Sequence, residues 1–255
     1  MSKVVFLLIT LLAVGPRLLL AQKDRETVNQ SIQWFALSTS IKLSERAYLL
    51  LEGQFRQVAN FKPMQYQLRT GLEIKLKNHF SVVPIAYVYT WNYQYGKQPA
   101  VYQNHEHRIW QQVACKHSIG IFSVDHRLRP EQRFIQQHSK MPNGDVFDDG
   151  YTVNQFRLRY RLMGRLPLNS KEIGAKTFYV SVYDEIFMSW GERVAYSEPD
   201  QNRIYAGIGY QFDDAFGLQG GFLYQMLVKS NGAMQENNLG LIVQMNYNVK
   251  WSGSL

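Results

Sequence analysis

The stretch VDHRLRPEQRF, residues 124–134, decides how this chain is read. Every second residue, Asp125, Arg127, Arg129, Glu131 and Arg133, is charged. Between them stand Val124, His126, Leu128, Pro130, Gln132 and Phe134, a mostly apolar set. A β-strand points alternate side chains to opposite faces. An extended 124–134 therefore carries a ladder of ions on one face and an apolar surface on the other. In a soluble sheet the ions meet water and the apolar side meets a core. In a membrane barrel the apolar face meets lipid and the ions face the lumen.

Repetition separates the two cases. Tyr66, Leu68, Thr70, Leu72, Ile74 and Leu76 alternate with Gln67, Arg69, Gly71, Glu73 and Lys75. Phe156, Leu158, Tyr160 and Leu162 oppose Gln155, Arg157, Arg159 and Arg161. Similar segments fall near 31–41, 45–57, 65–76, 79–92, 104–115, 118–135, 151–163, 175–188, 201–212, 217–229 and 237–250. No helical periodicity runs between them. Many reach the roughly 9–11 residues that a tilted strand needs to cross a bilayer. The expected fold is all-β: an antiparallel transmembrane β-barrel of 10–12 strands, with 31–41 as an added strand or lumenal segment. Pro130 cannot donate to a strand ladder, so it is expected at a bulge or near a rim.

The start of the chain supports export. A short basic Met1-Ser2-Lys3 precedes the apolar run VVFLLITLLAVG, broken at Pro16-Arg17, and cleavage after Ala21 would leave Gln22. This reads as a secretory signal peptide over 1–21, followed by one barrel domain over 22–255. With 45% apolar and 14% aromatic residues, the composition is compatible with such a barrel. The single cysteine, Cys115, excludes an internal disulfide. The expected location is the cell outer membrane of a Gram-negative bacterium.

Connections are expected to alternate in length, with short turns at 42–44, 77–78 and 213–216. Longer polar segments are expected at 58–64, 93–103, 136–150, 189–200 and 230–236, and 164–174 breaks the alternation. Short turns on one rim and longer loops on the other mark outer-membrane barrels. Aromatic residues gather at segment ends: Tyr87, Tyr89, Trp91 and Tyr93; Phe187 and Trp190; Tyr247 and Trp251. They suit interfacial girdles.

The segments EHRIWQQV (106–113), VDHRLRPEQRF (124–134), YDEIF (183–187) and SIKLSERAYLLLEGQFR (40–56) resemble a bacterial outer-membrane family known as domain of unknown function 2490. The resemblance implies a β-barrel in the outer membrane of Bacteroidota-type bacteria. It implies no substrate.

Strand parity places Arg56, Arg69, Lys75, Arg108, Arg127, Arg129, Arg133, Arg157, Arg159, Arg161 and Arg203 inside, with Glu52, Glu73, Glu106, Asp125, Glu131 and Glu185. Eleven cations against six anions leave an excess of five. Two readings follow. The charges form a satisfied ionic network that fixes the interior, or they form a lumenal site for a small anionic solute. Glu131, between Arg129 and Arg133, is expected to hold more cations than Glu106.

Other constellations carry less. His105 and His107 share a strand face but lack a third metal ligand at persuasive spacing. NGDVFDDG (143–150) is acidic without full EF-hand spacing. No metal or other cofactor is expected. There is no G-x-S-x-G, and neither His117-Ser118 nor His138-Ser139 has the alternation that would align nucleophile and base on a barrel wall. The formal charge of +8 is spread through alternating strands and forms no basic stripe, which argues against nucleic acid. Three classes remain: a structural or interaction barrel, an anion-selective pore, and an outer-membrane lipid hydrolase. Expected partners are outer-membrane lipid with lipopolysaccharide, the barrel-assembly machinery, and a small anionic solute.

Overall fold

The computed structural model describes residues 25–58, 61–96, 102–191, 194, 199–229 and 232–250. The leader at 1–21 and Trp251 lie outside these. Eleven strands follow one another: β1 (Glu26–Lys42), β2 (Ala47–Val58), β3 (Lys62–Lys75), β4 (Phe80–Asn92), β5 (Asn104–Ile119), β6 (Phe122–Lys140), β7 (Val146–Pro167), β8 (Thr177–Gly191), β9 (Pro199–Gln211), β10 (Phe216–Val228) and β11 (Met234–Lys250). Each pairs with its sequence neighbours, and β1 closes the barrel against β11. Closure leaves no sheet edge with unpaired backbone groups. No α-helix occurs among the described residues. The segment at 31–41 is a full member of the wall, as β1.

The expected antiparallel pairing holds for ten of the eleven interfaces. The seam is the exception: β1 and β11 run parallel, from Glu26↔Met234 to Lys42↔Lys250. An odd number of up-and-down strands requires one such pair.

The wall is apolar outside and polar inside. Leu37, Phe55, Leu68, Ile85, Ile208, Phe222 and Leu239 are exposed, while Arg129, Glu131, Arg159 and Glu185 are buried. Water would penalise that outer surface and lipid does not. Two rows of polar rings mark its height along β5. Near one end His105 and His107 meet Tyr89 and Tyr87, and near the other His117 stacks on His126. His107 and His117 are ten residues apart, which at about 3.3 Å per residue and a tilt near 40° spans roughly 25 Å.

Side chains fill much of the lumen. On the β9–β10–β11–β1 side, Ile32, Trp34, Tyr205, Leu223 and Ile242 form an apolar cluster. Val83, Ala86, Val88 and Trp110 form a second one on β4 and β5. Two glycines make room. An alanine Cβ at Gly207 would meet the Tyr205 ring, which lies across it, and one at Gly240 would stand 1.8 Å from the Ile32 carbonyl oxygen across the seam.

Prolines divide into two cases. Pro84 sits where β4 carries one more residue than both β3 and β5, a bulge that shifts register on either side. Pro130 does not match its expected place. It is in the middle of β6, opposite Leu158 of β7. Towards β5 the pairing lapses between Trp110↔Glu131 and Val113↔Leu128 without a change of register. Losing one donor there costs a local gap in the ladder, and no bulge is needed.

The rims differ less than expected. By the strand bounds, the intervals between strands number 43–46, 76–79, 120–121, 168–176 and 212–215 at one end and 59–61, 93–103, 141–145, 192–198 and 229–233 at the other. The polar stretch 136–150 is mostly strand: β6 and β7 continue upward as a hairpin whose tip is 141–145. Strand pairing extends there because Ser139↔Phe147 and Lys140↔Val146 keep the ladder going above the wall.

Gly240→Ala should block closure of the seam, lowering stability by on the order of 1–3 kcal/mol or abolishing the folded form. Gly220→Ala should be mild, because its nearest neighbour is the Ile242 carbonyl oxygen at 3.7 Å. Comparing the heat-modifiable gel bands of the two variants checks this.

Candidate functional site

Strands β5 to β8 bring arginine opposite arginine. Arg108 faces Arg133 across β5 and β6, and Arg129 faces Arg159 and Arg127 faces Arg161 across β6 and β7. Like charges directly opposite destabilise a strand pair. Each rung is relieved by carboxylates reached along or across strands.

Glu106 serves the first rung. It accepts from Arg108 at 2.6 and 2.9 Å and from Arg133 at 2.6 and 3.1 Å, so two guanidinium forks converge on one carboxylate. Planar forks suit this bidentate geometry. Glu131 and Glu185 serve the second rung. Arg159 donates to Glu131 at 2.6 Å and to Glu185 at 2.9 and 3.2 Å. Glu185 also accepts from Arg127 at 2.6 Å and lies 3.7 Å from Arg203. Asp125 serves the third rung through Arg161 at 3.1 Å. Arg157 bonds Ser189 at 2.9 Å and Asp200 at 3.3 Å. Across β2 and β3, Glu52 takes Arg69 at 2.7 Å.

The structure thus brings together Glu106, Arg108, Asp125, Arg127, Glu131, Arg133, Arg157, Arg159, Arg161, Glu185 and Arg203. Arg129 stands beside them without a carboxylate partner. It donates to Gln112 at 2.6 and 3.1 Å and stacks on Trp110 at 3.9 Å. Arg56 is held in the same way. It stacks on Trp34 at 3.7 Å and donates to Gln65 at 2.5 Å, Gln54 at 2.6 Å and Gln67 at 3.1 Å. Lys75 is exposed near the 76–79 turn, over the Tyr48 ring.

The relative standing of two acids is reversed. Glu131, expected to hold more cations than Glu106, makes one hydrogen-bonded pair, with its other oxygen 4.0 Å from Arg108. Glu106 makes four bonds to two arginines. Alternation along β6 placed Arg129 and Arg133 beside Glu131, but those side chains turn towards β5 and bond Gln112 and Glu106.

Three contributors escaped the parity argument. Asp200 lies in the stretch 189–200, read as a connection, yet it belongs to β9, where a bulge between the pairs Phe187↔Gln201 and Met188↔Pro199 turns it inward. Glu236 lies in a segment read as loop, yet it opens β11, fully buried, with Lys229 at 2.7 Å and Tyr95 at 3.1 Å. The aromatic floors under the arginines, Trp34 and Trp110, have no local signal beyond alternation.

Two cavities flank the network. The upper one, about 370 Å³, is lined by nine basic residues, including Arg25, Arg56, Arg157 and Arg203, and by two acids, Glu106 and Asp200. The lower one, about 150 Å³, is bordered by Leu50, Glu52, Trp110, Arg129 and Asn246. Arg69 borders both.

The remaining motifs lie elsewhere. His105 and His107 face outward, bonded to Tyr89 at 2.9 Å and Tyr87 at 2.5 Å. Residues 143–150 run through the hairpin tip, where Asn143 accepts from the Asp145 amide. Among the described residues, no group of three or more His, Cys, Asp or Glu is placed to hold a metal ion.

Closed wall, apolar exterior and ionic interior define a β-barrel of the membrane type. A family model described as "Protein of unknown function (DUF2490)" matches residues 32–237, and the chain belongs to that family. Among solved structures it is similar to one described as "NanC porin structure in rhombohedral crystal form". Identity is 12%, the TM-score is 0.41, and the match covers 78% of this chain and 85% of that one. No curated protein matches.

Replacing Glu106 by alanine should cost more than replacing Glu131. The first leaves Arg108 and Arg133 without their shared acid, at about 3 kcal/mol for a broken buried pair. Thermal or denaturant melts of the refolded barrels compare the two, and an equal or smaller loss for Glu106→Ala would contradict the geometry.

Proposed function

We propose that the mature protein, beginning near Gln22, is an outer-membrane barrel whose arginine-rich lumen forms a narrow passage for small anions. The observation that supports this most is the lining of the upper cavity, nine basic residues and two acids, where Arg56 bonds only glutamine amides. Fixed positive charge along a confined path favours entry of anions and repels cations. The passage is narrow because the side chains of an eleven-strand wall fill much of it. Eight strands leave room only for side chains or one small ligand, and porins of about 16 strands leave an aqueous channel. The ion pairs of Arg159 with Glu131 and Glu185 line one wall of it and narrow it further, so resting conductance is expected to be small.

The setting follows from the same surfaces. The exposed apolar belt meets outer-membrane lipid and lipopolysaccharide, and the barrel-assembly machinery inserts the strands. A structural or interaction role is the second reading. It is favoured by the filled apolar half of the lumen, Ile32, Trp34, Tyr205, Leu223 and Ile242.

In a planar bilayer under a potassium chloride gradient, the reversal potential should report preference for chloride, with unitary conductance well below that of a wide porin. Cation preference overturns the reading, and a silent bilayer favours the structural role. In cells the protein should stay with outer membranes through an alkaline wash and shift its gel mobility on boiling. Release into the soluble periplasmic fraction would contradict the location.

A further inference from the structure

We propose that the upper cavity holds a binding site for a small hydroxylated carboxylate, centred on Arg56 and Arg203 above the Trp34 ring. The inference rests on the anionic reading of the lumen and adds to it a specific place and ligand class.

Arg56, like Arg129, has no carboxylate bonded to it. All its bonds are to neutral amide oxygens, of Gln65, Gln54 and Gln67. Its Nε is buried and has no hydrogen-bond partner. Arg203 is nearly as poorly matched. Its nearest carboxylate is Glu185 at 3.7 Å, and the Gln201 amide, turned with its oxygen towards it, accepts at 2.7 and 2.8 Å. Both guanidiniums lie over one indole. Arg56 is 3.7 Å and Arg203 4.9 Å from the Trp34 ring centre, so their central carbons stand within about 9 Å of each other.

Two like charges held this close, away from bulk water, with amides in place of acids, form a site that an incoming anion completes. Neutral amides can orient a guanidinium but cannot cancel its charge. Gln65 and Gln201 of these amides, with Gln225, line the cavity and offer polar groups to hydroxyls. The cavity, about 370 Å³, sits at the lower end of the range for small-ligand sites. Size and lining together fit a six- or seven-carbon hydroxy acid better than a bare ion or a long chain. The apolar ring beneath excludes water from one side and strengthens the charge pairing.

Titration calorimetry on the refolded barrel in detergent tests this without requiring conduction. Gluconate should bind saturably, glucose should not bind, and inorganic phosphate should bind more weakly than gluconate. Arg56→Gln should reduce gluconate affinity at least tenfold while leaving the melting temperature unchanged or raised, because the variant removes an uncompensated cation. If that variant does not fold, Arg56→Lys keeps the charge, loses the fork and should weaken binding several-fold. Glucose binding as tightly as gluconate, tighter binding of phosphate, or gluconate affinity unchanged in a folded Arg56 variant would each overturn the site. Gluconate binding in a barrel that conducts nothing retains the site and removes the passage. Chloride selectivity without gluconate binding does the reverse.

Discussion

Three rungs of this barrel set arginine against arginine, and the interior is arranged around relieving them. Arg108 with Arg133, Arg129 with Arg159 and Arg127 with Arg161 are register partners on adjacent strands. Unrelieved, each would push its strands apart. The carboxylates that hold them are not their rung partners. Glu106 reaches along β5 and across to β6, and Glu185 reaches from β8 over β7 to Arg127 on β6. A bond that skips a strand ties three strands together. Arg159 extends this further, since its two acids lie on the strands either side of its own. The network therefore staples β5 to β8 as a unit, while the opposite wall is held by apolar packing around Trp34 and Tyr205.

That division explains where the glycines and aromatics fall. On the β9–β11 side, inward glycines stand beside large side chains: Tyr205 lies across Gly207, and Ile32 closes over Gly240. The cavities lie between this packed cluster and the charged wall, and both sides contribute to their lining. The parallel seam lies inside the packed half, where Ile32 and Ile242 cover it from within. Burial shields its backbone bonds from competing water, which suits the pairing that is slightly less stable per residue.

Alternation made much of this legible. Reading every second residue in 124–134 and 155–161 assigned Asp125, Arg127, Arg129, Glu131, Arg133, Arg157, Arg159 and Arg161 to one face, because a period of two survives wherever a strand is regular. It failed where the strand is not regular or where its start was misjudged. Asp200 and Glu236 both stand in polar stretches, 189–200 and 230–236, that read as connections, yet Asp200 turns inward at a bulge of β9 and Glu236 lies near the start of β11. Pro130 shows the limit of another rule. A missing donor predicts a bulge or a place near a rim, but Pro84 has the bulge and Pro130, in mid-strand, only a lapsed rung. Parity also says which face a side chain leaves from and nothing about which neighbour it takes. Arg129 and Arg133 flank Glu131 in sequence and bond elsewhere, so Glu106, with the sparser surroundings in sequence, became the better-held acid.

The distribution of unpaired charge then separates structure from function within one set of arginines. Those on β5 to β8, Arg129 apart, meet acids through charge-assisted bonds, and removing an acid there is a stability question. Arg56, on β2, has glutamines for company and an indole for a floor. A residue kept for packing alone would gain from being neutral at that place, since an uncompensated cation in a confined lumen is a continuing cost. Glutamine would keep most of the length and the amide contacts without the charge. The charge at Arg56 is therefore hard to account for by the stability of the empty barrel, and it is accounted for once an anion enters the cavity that it borders.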